Sequence, residues 1–199
     1  QVIGQWPVIV LAVKAQATEA ALAMLLPHLA PDGYVLSAQN GLNEIAIAKA
    51  VGDARTMGCF VNFGADWLGP GEILFGNRGA VVVGEIDGTT QGRTRQMHAW
   101  LQLFEPDAVL TKNIWGYLWG KLAYGAMLFG TALTGDSMSA NFSDPERLPV
   151  WLALGREVGG VEKARQMFID RQPMGRLGTA EEVAANPDSL TGRYLGGSL

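Results

Sequence analysis

Lys121 is the residue whose type and setting first suggest chemistry. On a helix its neighbours three and four positions away include Tyr117, Leu118, Tyr124 and Gly125, so apolar and aromatic surface surrounds the base of a charged side chain. Such a lysine either snorkels to water, the plainer reading of the spacing alone, or faces a cleft. In a cleft, shielding from water makes an ammonium a readier proton donor near neutral pH. Asn40 ends one apolar run and precedes Gly41. Asn-Gly is first a turn dipeptide, yet an amide at the carboxyl end of a strand can also hydrogen-bond a ligand. Lys14 ends another apolar run, where an ammonium can sit in solvent or meet a phosphate or carboxylate.

Other chemistries find no support in the residues. His28 and His98 lie far apart, on separate expected helices, without a Cys, Asp or Glu at ligand spacing, so no metal site is expected. There is no G-x-S-x-G elbow and no Walker-type loop. Glu181-Glu182 reads as a solvated helix face. Cys59 is the single cysteine, so no intrachain disulfide can form and a buried, inert thiol is expected. The net charge of −4, with Lys and Arg scattered, argues against a nucleic-acid footprint. No apolar run reaches the roughly 18 residues of a membrane span, and the first residues lack a signal-peptide pattern. A cytoplasmic protein with no membrane partner is the expectation. At 48% apolar and 17% charged residues, the composition suits a packed core.

The elements that must position these residues follow from periodicity. Residues 8–13 form a continuous apolar, β-branched run, the pattern of a buried parallel strand. Residues 18–29 have helical spacing with Thr18 as N-cap, Pro31-Asp32-Gly33 signals a turn, and 34–38 reads as a second strand. Residues 43–51 read as a helix closed by Gly52. Strand, helix, strand, helix is half of a doubly wound α/β unit, whose ligands sit beyond the carboxyl ends of the strands. Strand-like runs at 57–67, 72–76 and 80–85 suggest antiparallel hairpins added to the sheet. A helix over 90–104, with Arg93, Met97, Trp100, Leu101 and Phe104 near one side, leads to a short strand at 108–110. A long apolar helix over 113–133 carries Lys121 and several glycines. A break at Gly135-Asp136-Ser137 precedes a further helix over 149–172, and the Gly-rich remainder holds one short helix near 179–185.

Several segments in order resemble the ketopantoate reductase (2-dehydropantoate 2-reductase) family. They are Val10-Leu11-Ala12-Val13-Lys14-Ala15-Gln16, Ser37-Ala38-Gln39-Asn40-Gly41-Leu42, Gly84-Glu85-Ile86-Asp87-Gly88, and Leu118-Trp119-Gly120-Lys121-Leu122 followed by Ala132-Leu133-Thr134-Gly135. The resemblance spans about residues 8–160. It implies an NADPH-dependent oxidoreductase of pantothenate biosynthesis that reduces a 2-oxo acid to a 2-hydroxy acid. It implies that Lys121 protonates the keto oxygen, that Asn40 lies at the cofactor and substrate end of the cleft, and that Lys14, Gln16, Asn40 and Gly41 bind the cofactor. The expected fold is α/β. A partial Rossmann-like, doubly wound sheet with added antiparallel strands (1–111) precedes a mainly helical domain (112–172) and an irregular tail (173–199).

The chain departs from the family pattern in three places. No G-x-G-x-x-G loop precedes the first strand. Gly125 and Phe129 stand where the family has asparagines one and two turns after the lysine, which implies a divergent branch. Residues 171–178 are similar to the tail of short-chain dehydrogenases, and 178–187 and 189–195 to the end of an excision-repair ATPase. Neither brings its catalytic motif. The rival reading is therefore a truncated or composite α/β protein without catalysis, whose open sheet edge favours a homodimer.

Overall fold

The computed structural model describes residues 4–76 and 79–159. The chain divides into two compact units, Gln1–Gly125 and Ala126–Leu199.

The first unit is built on a five-stranded sheet. Its strands are β1 (Trp6–Leu11), β2 (Leu29–Ser37), β3 (Thr56–Val61), β6 (Val81–Glu85) and β7 (Val109–Leu110), in that spatial order. The pairs β1/β2, β2/β3 and β6/β7 are parallel, and β3/β6 is antiparallel. The parallel pairs at the start require crossovers, supplied by α1 (Thr18–Leu25) and α2 (Asn43–Val51). Strand alternation sends side chains to both faces. Val35 packs with Ile9, Leu11, Leu22 and Ile47 beneath the two crossover helices. Leu36 packs with Met57, Cys59, Val83 and Met97 under α3 (Gly92–Phe104). Both faces being covered explains the near-continuous apolar runs of β2, β3 and β6. The run at 8–13, expected as a fully buried strand, is not one: β1 buries Ile9 and Leu11 but leaves Val10 54% exposed, because among the described residues it has a neighbouring strand on one side only.

Up to residue 159 the expected elements have counterparts, with informative differences. The helix of 18–29 stops at Leu25. Pro27 lies in a tight turn over Leu26–His28, and β2 begins at Leu29. Pro31-Asp32-Gly33 does not end the strand. It forms an irregularity within it, because a step from Trp6 to Val8 on β1 is matched by the longer step from Leu29 to Tyr34 on β2. A Cβ at Gly33 would fall 2.9 Å from Trp6 O, so the close approach of β1 requires glycine there. Thr18 is the first helical residue rather than the cap, and its hydroxyl donates to Asn43 Oδ1 instead.

The run at 57–67 splits into β3 and β4 (Ala65–Gly69). β4 pairs with β5 (Glu72–Phe75) in a separate two-stranded sheet rather than joining the main one. On α3, Trp100 and Phe104 lie exposed, while Met97 is buried and Arg93 forms an ion pair with the buried Glu85 at 2.6 Å. Gln91 and Thr94 close that helix's N-terminus with a reciprocal capping box.

The long apolar helix is α4 (Ile114–Gly130), followed by a single turn over Thr131–Leu133. In the second unit, α5 (Met138–Ser143) starts where the sequence suggested only a break, because Ser137 caps it through Ala140 N–H. α6 (Leu148–Gly159) occupies the start of the helix expected over 149–172. Asn141 joins this unit together. Its side-chain amide donates to Thr134 Oγ1, and its backbone carbonyl accepts from Trp151 Nε1. The expected tail, 173–199, and its short helix lie outside the described residues. Among the described residues, no helix is long and apolar enough to cross a membrane.

Candidate functional site

The carboxyl ends of β1, β2 and β3 converge on one cavity within the first unit. The β1/β2 ladder runs out at Ala38 N–H donating to Leu11 O at 2.8 Å. Beyond that rung the two chains continue as loops carrying Lys14 and Asn40. The cavity has a volume of about 450 Å³. Its lining includes Lys14, Gln16, Gln39, Asn40, Phe63 and Lys121. That volume is in the range of small-ligand sites, roughly 300–1,000 Å³.

α4 delivers Lys121 to this place. Asn113 Oδ1 accepts from Gly116 N–H and satisfies one of the free donors at the start of the helix. Ile114 and Leu118 are buried against Phe60 and Val82 of the sheet. Tyr117 meets the Phe60 ring at 5.5 Å. With that stripe fixed, Lys121 extends across the Phe60 ring, 5.5 Å from its centroid, a cation-π distance. Its Nζ donates to Asn40 Oδ1 at 2.6 Å and to the Val61 carbonyl. Lys121 is therefore neither a snorkelling residue nor wholly buried. Its charged end is held between the ends of β2 and β3.

Of the sequence-derived candidates, Lys14, Gln16, Asn40 and Lys121 all line the cavity. Lys14 is exposed in the loop after β1, and Gln16 lies in the tight turn Ala15–Ala17. Gly41 does not line it. With φ of 100°, it supplies the left-handed backbone that turns the chain after Asn40. His28 and His98 are apart from the site. His28 Nδ1 lies 3.0 Å from Gly4 O, and His98 Nε2 lies 2.8 Å from Ala108 O. No group of three potential metal ligands occurs among the described residues. Cys59 is 1% exposed, and burial, with a smaller contribution from Glu44, pushes its thiol up to about 12.

Two residues of the site's support were not singled out from the sequence. Gln39 is buried and braces the loops. Glu44 is 0% exposed at the start of α2, and neither carboxyl oxygen has a hydrogen bond of normal geometry. Burial pushes Glu44 up to about 7, and its own backbone N–H and the nearby Ser37 hydroxyl offset only part of that. The available signal was spacing. Glu44, Ile47 and Val51 fall three and four apart, which places the acid on the helix's buried stripe.

Residues 1–88 match the family model described as ketopantoate reductase PanE/ApbA. No curated protein matches the chain significantly. Among solved structures, the 2-dehydropantoate 2-reductase of Geobacter metallireducens GS-15 is 22% identical, with a TM-score of 0.69 over 78% of this chain and 52% of that one. The dimeric ketopantoate reductase of Staphylococcus aureus is 21% identical, with a TM-score of 0.62 over 77% of this chain and 55% of that one. A D-mandelate dehydrogenase in complex with NADH is 18% identical, with a TM-score of 0.68 over 98% of this chain and 71% of that one. These likenesses establish the fold. The chain spans about half the length of the first two relatives.

Proposed function

We propose that this chain, whose residues 1–88 carry the ketopantoate reductase family's match, contributes to NADPH-dependent reduction of a 2-oxo acid to the 2-hydroxy acid. The observation that carries the reading is the meeting of Lys121 Nζ with Asn40 Oδ1 in the lining of a cavity that Lys14 and Gln16 also line. This donor set, two ammonium groups and two carboxamides, suits an anionic, hydroxyl-bearing ligand. Lys14 and Gln16 would hold the phosphate-bearing part of a dinucleotide, and Asn40 with the Gly41 turn would border its reactive end. When bound, the nicotinamide supplies hydride to the carbonyl carbon.

The chain's own residues perform the rest. The Lys121 ammonium faces the keto oxygen, stabilises the negative charge that develops there and transfers a proton to it. The balance is one hydride to carbon and one proton to oxygen, and the neutral amine regains its proton from water. Asn40 Oδ1 and the Val61 carbonyl hold Nζ at its station, so the proton donor does not have to be oriented during reaction.

The dimeric state in the Staphylococcus aureus protein's description supports a homodimer here as well. The test is titration of the purified chain with NADPH and NADH, followed by tryptophan fluorescence, then turnover of 2-oxo acids. Saturable binding with a preference for NADPH and production of the 2-hydroxy acid are expected. Absence of binding at millimolar dinucleotide overturns the reading in favour of a non-catalytic module.

A further inference from the structure

Gln39 is 6% exposed and stands between the two loops that carry the cavity's charged groups. Its Nε2 donates to Val13 O and to Thr18 Oγ1, both at 2.8 Å. Thr18 Oγ1 donates in turn to Asn43 Oδ1 at 3.1 Å, and Asn43 Nδ2 donates to Asn40 O at 2.8 Å. This run of bonds leaves the first loop beside Lys14 and returns to the second loop at Asn40. The orientation of the amide is settled by its neighbours. Val13 offers only a carbonyl, and Thr18 spends its single proton on Asn43, so both require a donor.

The arrangement has a cost. Gln39 Oε1 is buried without a hydrogen-bond partner, and such orphaned groups are uncommon in folded proteins. A leucine would fill the space without that cost but would supply neither N–H. The location gives the reason for the amide. The last backbone rung between the chains is Ala38 N–H to Leu11 O. The Gln39 side chain continues the connection where the ladder stops and the cavity begins.

The geometry points to Gln39 as a positioning residue, whose amide sets the separation of Lys14 from Asn40 and, through Asn40, the station of the Lys121 ammonium. It acts on the ligand only through those residues. This inference rests on the dinucleotide reading above for its functional half, while the brace itself exists in the ligand-free chain. Gln39 thereby becomes a determinant of how a phosphate held by Lys14 and a keto group held by Lys121 are spaced.

The experiment compares the unmodified chain with Gln39→Leu, Thr18→Val and Thr18→Ser. Hydrogen exchange at the Ala17 amide, which donates to Lys14 O at 2.9 Å, reports the brace without ligand. NADPH affinity by tryptophan quenching reports positioning, and the thermal midpoint reports stability. The expected result is at least ten-fold faster exchange and at least ten-fold weaker NADPH binding in Gln39→Leu and Thr18→Val. Thr18→Ser, which keeps the hydroxyl, should restore both. Unchanged exchange overturns the brace. Faster exchange and a lower midpoint with unchanged affinity overturn the positioning role and leave a structural tie. Should Gln39→Leu fail to fold, the Thr18 pair decides. If the unmodified chain binds no dinucleotide, the functional reading fails and the positioning role falls with it, while exchange still decides whether the brace exists.

Discussion

Lys121 Nζ lies 2.6 Å from Asn40 Oδ1, joining the middle of α4 to the carboxyl end of β2 across 81 residues of sequence. Neither residue reaches this contact by local preference. Asn40 is delivered by a parallel strand pinned on both sides, and Lys121 by a helix whose Ile114 and Leu118 are packed against Phe60 and Val82. A charge-assisted hydrogen bond of this length is stronger than one between neutral groups. It converts two surface-capable side chains into one ordered pair.

Replacing Lys121 with alanine should lower kcat for 2-oxo acid reduction by about 10²–10⁴, the usual contribution of a positioned general acid. NADPH affinity should change only a few-fold, because the cofactor phosphate is assigned to Lys14. Steady-state kinetics beside a fluorescence titration separate the two. An unaltered kcat would remove Lys121 from the proton-transfer role.

The sequence made much of this legible, for identifiable reasons. The helix at 43–51 has a single period and α2 keeps those bounds, while the continuous apolar run at 8–13 marked a strand that begins and ends two residues earlier, at Trp6–Leu11. Gly52, with φ of 87°, ends α2 as its type suggests. Lys14, Asn40 and Lys121 stood out by their places at strand ends and on an apolar helix, and Gln16 only through the family resemblance; all four line one cavity. What escaped depended on tertiary context. The excursion at Pro31-Asp32-Gly33 keeps its strand only because β1 continues to pair around it. Thr18 gives up a cap to join a buried network with Gln39 and Asn43. The independence of the β4/β5 hairpin depends on where β6 finds its partner, which periodicity cannot reveal.

Lys14→Ala should weaken NADPH binding about ten-fold, an effect of roughly 1.4 kcal/mol. Since Lys14 is exposed, its attraction for phosphate is open to screening, so the difference between variant and unmodified chain should shrink as salt rises. Titrations at low and high ionic strength check this. A salt-independent difference, or none, would take the phosphate contact away from Lys14.

Gly58→Ala should disturb the site from the core side. A Cβ at Gly58 would lie 2.7 Å from Ile114 Cγ1, at the first turn of α4. Overpacking of this kind typically costs about 1–3 kcal/mol. Chemical denaturation should show that loss, and kcat should fall as well because the displaced helix carries Lys121. A stable variant with normal turnover would show that α4 absorbs the methyl group without moving its lysine.

Glu44 should make the fold less stable as pH rises through the neutral range. Its carboxyl is raised from an ordinary 4.5 to about 7 by burial, so between those values the folded chain holds a proton that the unfolded chain has released. With more protons bound in the folded state, unfolding free energy falls as pH increases. The stabilisation is fully present below pH 4.5 and lost by the time pH passes 7. The shift corresponds to roughly 3 kcal/mol. Glu44→Gln removes the titration while keeping the size of the side chain. It should match the unmodified chain near pH 4.5 and exceed it in stability above pH 7. Urea unfolding curves at a series of pH values measure the two slopes. Parallel curves would mean that the Glu44 carboxyl finds compensation on ionising.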